Sequence, residues 1–228
     1  MSAAFFSPQT LEFLQLLSAN NNRDWFNEHK QSYEDKVRSP ALSLIESLAP
    51  ELALISRHFV ASPRKSGGSM MRVYRDTRFA KDKTPYKTNV GIQFRHEQGK
   101  DVHAPGFYIH FGIDACFLGV GIWRPDSKAL GAIRDAIDQS SACWLAARDN
   151  AAFTRNFELA GDSLKNPPRG YNKEHPLLPD LKRKDFIALR NLNHDQLYSD
   201  DCHGLILKSF NEGKPLMKFL CDAVNVPF

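Results

Sequence analysis

Six cationic side chains, Arg72, Arg75, Arg78, Lys81, Lys83 and Lys87, fall within sixteen consecutive residues that contain only two carboxylates, Asp76 and Asp82. The rest of the chain is balanced: 30 Lys and Arg against 26 Asp and Glu become 24 against 24 once the segment's six cations and two anions are set aside. A field concentrated in this way gathers counter-charge as dispersed lysines do not, and the fork of a guanidinium matches the oxygens of a phosphate or carboxylate. Arg72, Arg75, Arg78, Lys83, Tyr86 and Lys87 are therefore expected to bind an anion. Asp76 and Asp82 are placed to hold neighbouring guanidiniums through charge-assisted hydrogen bonds, or to act as general bases. A solvated loop and a structural ion-pair network are the competing readings of the same residues.

A second constellation, Pro168-Arg169-Gly170-Tyr171-Asn172-Lys173-Glu174-His175-Pro176, joins a guanidinium and an imidazole on a path stiffened by proline. Arg169 is expected to add to the anion site and His175 to transfer a proton there, with an ordinary ordered connection as the alternative. His110 is a further acid–base candidate, set against a hydrogen-bonded structural histidine. Signatures of familiar chemistry are missing: there is no Gly-x-Ser-x-Gly, no His-Glu-x-x-His and no strand-Gly-x-Gly-x-x-Gly-helix unit. Lys65-Ser66-Gly67-Gly68-Ser69 lacks the spacing of a phosphate-cradling loop and reads as a flexible turn. His194-Asp195 and Asp200-Asp201-x-His203 are the only clustered metal-type ligands, and helix capping accounts for their aspartates. Cys116, Cys143, Cys202 and Cys221 lie far apart, with no Cys-x-x-Cys pair. Neither a metal site nor a disulfide scaffold is expected, and no cofactor is indicated.

Helices and strands must position these groups. Ser7-Pro8 opens a helix to about Ser18, with Leu11, Leu14 and Leu17 at helical spacing. Asn20-Asn21-Asn22 is a turn, after which Phe26, Tyr33 and Val37 mark one face of a helix that stops before Ser39-Pro40. A third helix buries Leu44, Ile45 and Leu48, and Pro50 kinks or ends it, with a last turn to Arg57. From Met70 the period becomes two. Met70 to Arg75 reads as a strand, as do the alternations at Val90, Ile92 and Phe94 and at Phe107, Ile109 and Phe111. A two-residue turn at Asp114-Ala115 leads into Cys116 to Trp123, pairing Ile113 with Cys116 and Phe111 with Leu118. In that register Tyr108 lies opposite Gly121 and His110 opposite Gly119, which predicts a shallow floor on one face. The competing picture is an aromatic, Trp25 or Trp123, packed on those glycines. The basic segment then forms a loop between strands, with Phe79, Pro85 and Tyr86 as its anchors. Helices follow from Asp126, near Ala142 to Arg148 and at Ala151 to Ala160. A proline-rich loop spans Lys165 to Asp180, and helices return at Lys182 to Leu189, Asp201 to Asn211 and Pro215 to Val224.

The balance of 42% hydrophobic and 25% charged residues belongs to a globular protein. The expected architecture is α+β in one domain, 1–228: a small, mainly antiparallel sheet of about four strands within residues 70–123, covered on one face by N-terminal and C-terminal helices. No apolar run is long enough to cross a membrane and Met1 to Thr10 lacks a secretory pattern, so a cytoplasmic location with no membrane association is expected.

Asn21-Asn22-Arg23-Asp24-Trp25-Phe26 with Lys30 and Tyr33, then Arg72-x-Tyr74-Arg75-Asp76-Thr77-Arg78-Phe79-x-Lys81-Asp82-Lys83-Thr84-Pro85-Tyr86-Lys87, resemble the conserved hypothetical proteins grouped as domain of unknown function 2461. Gly119-x-Gly121-x-Trp123 and Pro168-Arg169-Gly170-Tyr171 with His175-Pro176 complete that resemblance, which covers nearly the whole chain. Ala80 stands where Ser is usual in the family. The family has no established activity, so the resemblance supports the position of a site and implies no reaction.

Three functions follow from these residues. The first is an enzyme or receptor for a small phosphorylated or polycarboxylate ligand. The second is nucleic-acid binding, with Tyr74, Phe79 or Tyr86 stacking on bases. The third is a protein-interaction or structural role. The first is favoured, with a small anionic ligand as the partner.

Overall fold

The computed structural model describes residues 5–99 and 103–228; the first four residues of the Met1 to Thr10 stretch lie outside them. Helix α1, Pro8–Ala19, begins as its residues dictate: Ser7 is extended, Pro8 occupies the first turn, and the Ser7 amide donates to Thr10 Oγ1 at 3.3 Å. The helix expected before Ser39 is broken into α2 (Arg23–Glu28), α3 (Lys30–Tyr33) and a π-helical turn at Glu34–Arg38, which runs directly into α4 (Ser39–Ile55). At the π-helical turn the local cause is Pro40. It has no N–H to offer the Lys36 carbonyl one turn back, and the buried Thr10 hydroxyl donates to that carbonyl instead, at 2.8 Å. Pro50 sits within α4 without ending it.

Five strands form one antiparallel sheet in the order β1-β2-β3-β5-β4: β1 Asn89–Arg95, β2 Gly106–Gly112, β3 Cys116–Ile122, β4 Glu158–Ala160 and β5 Phe186–Leu192. Val90, Ile92 and Phe94 of β1 pair with Phe111, Ile109 and Phe107 of β2, all buried, so the expected alternation holds. The β2–β3 register is two residues from expectation. Phe111 pairs with Cys116, Ile109 with Leu118 and Phe107 with Val120, because the Gly112 amide bonds the Ala115 carbonyl at 2.9 Å and puts Ile113-Asp114 at the turn. A shift of two preserves which face each side chain takes, so the core is unchanged while every cross-strand partner differs.

Met70–Arg75 is not a strand of this sheet. Its start runs beside β1 through one isolated bridge, Met70 to Ile92, with the Met71 amide on the Gly91 carbonyl (2.8 Å) and the Gln93 amide on the Ser69 carbonyl (2.8 Å). The remaining strands come from the second half of the chain, correcting two helices. Lys182 to Leu189 leads into β5 and forms no helix, the short α8 (Leu178–Leu181) instead closing the expected proline-rich loop, and Ala151 to Ala160 splits into α7 (Ala151–Thr154) and β4. Helices α5 (Ser127–Gln139, capped by Asp126), α6 (Ser141–Arg148), α9 (His194–Tyr198), α10 (Cys202–Glu212) and α11 (Lys214–Ala223) complete the fold.

One face of the sheet packs under α4, α10 and α11. Phe94, Phe107 and Phe210 meet there with ring centroids 4.8 to 6.0 Å apart. On the same face Arg190 donates to Ser209 Oγ (2.9 Å) and Glu212 (3.2 Å), which satisfies the charged group that β5 turns inward. No helix among the described residues is long and apolar enough to cross a membrane.

Candidate functional site

The basic segment is an excursion from the β1 edge, closed at its base by the Arg75 amide on the Pro85 carbonyl (2.9 Å) and the Lys87 amide on the Val73 carbonyl (2.7 Å). Tyr86 fastens it to the helices: its buried ring stacks on Phe26 at 4.1 Å. The Asn21 side chain accepts from the Tyr86 amide and donates to the Tyr86 carbonyl, both at 3.0 Å. Phe79 does not anchor the loop. It stands at the apex, 95% exposed, with the Arg78 guanidinium 5.9 Å from its ring. At that exposure the ring buries almost no surface against the fold.

Both carboxylates bind guanidiniums within the loop. Arg75 donates to Asp82 and to Thr84 Oγ1, while Asp82 also accepts from the Thr84 amide (2.9 Å) and hydroxyl (3.0 Å). Arg78 chelates Asp76 through Nε (2.9 Å) and Nη2 (2.6 Å). These side-chain hydrogen bonds, with backbone amides second, pull each carboxyl down to about 2. The Lys83 ammonium donates to the Thr77 carbonyl at 2.8 Å. The ion-pair network therefore accounts for Arg75 and Arg78, whereas Arg72, Lys81, Lys83 and Lys87 have no carboxylate within ion-pair distance among the described residues.

Between the base of this excursion and the α1–α2 turn lies a cleft of about 360 Å³ lined by Ser18, Asn21, Arg75, Asp82, Thr84, Tyr86, Lys87, Thr88 and Asn89. Lys87 is half-buried, and burial, then repulsion from Arg72, lowers the proton affinity of its amine. The cleft thus gathers a guanidinium, an ammonium, hydroxyls and carboxamides around one carboxylate. Ser18, Asn21, Thr84, Thr88 and Asn89 carry no charge pattern that sequence reasoning could isolate, although the Asn20-Asn21-Asn22 run marked the turn that presents Asn21.

The other candidates lie elsewhere. Arg169 is exposed, and its loop docks on α5: Tyr171 donates to Asp135 (2.7 Å) and His175 Nε2 approaches Asp138 (3.4 Å). Neither Arg169 nor His175 makes a hydrogen bond or ion pair with the basic segment among the described residues. His110 faces away from the helices, flat against Phe117 at 4.5 Å, with Nδ1 3.2 Å from the Tyr108 hydroxyl. Burial lowers the proton affinity of His110 and pushes the Tyr108 hydroxyl up to about 12. The shallow floor is filled rather than open. Tyr108 pairs with Gly119, and a Cβ on Gly91 would lie 2.7 Å from the Tyr108 hydroxyl and 3.1 Å from Met71 Sδ. The packed aromatic is Tyr108, not Trp25 or Trp123. Gly121, at φ 126° opposite Gly106, adopts backbone geometry that a side chain would strain.

A wider hollow of about 490 Å³ lies along Asp200, Asp201, His203 and Lys208, away from the basic segment. His203 there approaches the Ser47 carbonyl (3.1 Å), and His194 similarly approaches the Gly112 carbonyl (2.8 Å). Among the described residues no group of three or more His, Cys, Asp or Glu is arranged to hold a metal ion.

The family model described as Conserved hypothetical protein (DUF2461) matches residues 9–219, and the chain belongs to that family. No curated protein and no solved structure matches it.

Proposed function

We propose that this member of the DUF2461 family binds a small phosphorylated or polycarboxylate ligand in the cleft beside the basic excursion. The observation that carries the reading is Lys87: an ammonium half-withdrawn from water, with no carboxylate within ion-pair distance among the described residues, opening on the same cleft as Arg75. A bound anion would relieve that desolvation and the repulsion from Arg72 together. Thr84, Thr88 and Asn89 supply neutral donors of the kind that orient phosphate oxygens. Ion pairing leaves Asp82 with too little proton affinity for efficient general-base work near neutral pH, and His110 and His175 make no hydrogen bond or ion pair with the cleft residues. The reading is accordingly one of recognition, with any reaction left to groups the ligand brings. Four free thiols support a cytoplasmic setting.

A thermal-shift and calorimetric screen of inorganic phosphate, sugar phosphates, nucleotides, polyphosphate and citrate at low salt tests the proposal. At least one should stabilise the protein and lose roughly tenfold or more in affinity in Arg75→Ala and Lys87→Ala, as expected when a charged hydrogen bond is removed. No hit, or a hit indifferent to both substitutions, would overturn it.

A further inference from the structure

Two aromatic rings project from the basic excursion into solvent, Phe79 at 95% exposure and Tyr74 at 54%. Tyr74 rests on Tyr86 at 5.4 Å, with its remaining surface open, whereas Tyr86 itself is buried. The apex that carries Phe79 is shaped from within. Arg78 chelates Asp76, Lys83 donates to the Thr77 carbonyl, and Asp82 caps the Thr84 amide, so the ring is held outward rather than folded back. The same segment carries Arg72, Lys81 and Lys83, which have no carboxylate within ion-pair distance among the described residues and do not line the cleft.

We infer that the excursion is a binding arm for single-stranded nucleic acid, in which Phe79 and Tyr74 stack on bases while Arg72, Lys81 and Lys83 meet the phosphates. Every base offers a flat face to an exposed ring, and unpaired strands leave that face accessible where a duplex does not. An anionic membrane fits less well. Asp76 and Asp82 are interleaved with the cations, and a continuous negative surface would repel them, whereas a strand presents discrete phosphates that individual side chains can reach. The arm is separate from the cleft, because Tyr74, Phe79, Arg72, Lys81 and Lys83 are absent from the cleft lining.

Charge sets the expected strength. Three neutralised phosphates on a single strand give a log–log salt slope of roughly −2, so affinity should drop about 20-fold between about 50 and 200 mM salt. Fluorescence anisotropy of a labelled oligothymidine, a labelled duplex, and sedimentation with phosphatidylserine vesicles make the test. Expected are binding of the single strand at low salt, weaker binding of the duplex, and a loss of roughly tenfold in Phe79→Ala with an unchanged melting temperature. Tyr74→Ala should act in the same direction, and Phe79→Tyr should restore binding. Absence of single-strand binding at low salt, indifference to Phe79→Ala, or a Phe79-dependent preference for vesicles would overturn the inference. Parallel phosphate titrations of Arg75→Ala keep the cleft and the arm apart: loss of either leaves the other standing.

Discussion

The side chain of Asn21 closes both hydrogen bonds of the Tyr86 peptide, donating to its carbonyl and accepting from its amide at 3.0 Å each. A residue from the α1–α2 turn thus plays the part of a neighbouring strand for the base of the basic excursion. Asn21→Ala leaves both backbone groups beside the buried Tyr86 ring without a partner, at a cost of about 1 to 3 kcal/mol. Urea denaturation should show the loss, and phosphate affinity should fall with it because Lys87 is the next residue. Asn21→Asp keeps only the acceptor and should fall between. Equal stability of Asn21→Ala and the parent chain would mean that the Phe26 stack alone holds the loop.

Lys87 makes the cleft sensitive to alkaline pH. Its lowered proton affinity means that the folded chain binds fewer protons than the unfolded one between the depressed value and the ordinary lysine value near about 10.4, so its contribution to stability rises with pH across that window. An anion in the cleft favours the ammonium and reverses the bias. Phosphate affinity should fall as pH climbs through the depressed value, with proton uptake on binding. Calorimetry in two alkaline buffers of different ionisation enthalpy reads both. Lys87→Met should flatten the profile, and a slope shared by the two proteins would remove Lys87 from the site.

The core was legible because the inward positions of β1 and β2 are uniformly apolar, and parity survives a register shift of two. The register itself depended on whether Ile113 belonged to β2 or to the turn, and its apolar side chain continues the strand alternation, which places the turn one residue late at Asp114-Ala115. β5 was hidden by Arg190, an inward position whose charge is satisfied only by Ser209 and Glu212 on a helix distant in sequence. The cations of the site were conspicuous by count. Their division into paired Arg75 and Arg78 and unpaired Lys87 was not, since it follows from the path of the loop, and the neutral members of the cleft meet only through tertiary contact.

Asp82 offers a gain-of-affinity test. Its carboxyl, held at about 2 chiefly by the Arg75 hydrogen bond, adds to stability above the unfolded value near about 3.9, and that contribution disappears as pH falls toward 2. At neutral pH it is the one negative charge among the described residues that line the cleft. Asp82→Asn retains an acceptor for the Thr84 amide while releasing Arg75 to the ligand. Phosphate should bind roughly three- to tenfold more tightly, by the scale of a nearby unit charge in a partly solvated site. Weaker binding, measured by calorimetry at neutral pH, would show that Asp82 is needed to hold Arg75 in place.

Thr10 and Pro40 form a coupled pair. The Lys36 carbonyl accepts from the Thr10 hydroxyl at 2.8 Å because Pro40 has no amide hydrogen to give it. Thr10→Val keeps the shape of the side chain and strands that carbonyl in a buried setting, which should cost about 1 to 3 kcal/mol. Pro40→Ala supplies a backbone N–H one turn along and lets the π-helical turn relax toward ordinary helix. In that background Thr10→Val should cost less, giving a coupling of at least about 0.5 kcal/mol in a double-mutant cycle followed by chemical denaturation. Strict additivity would mean that the π-helical turn is imposed by packing of Tyr33 and Val37, with proline incidental to it.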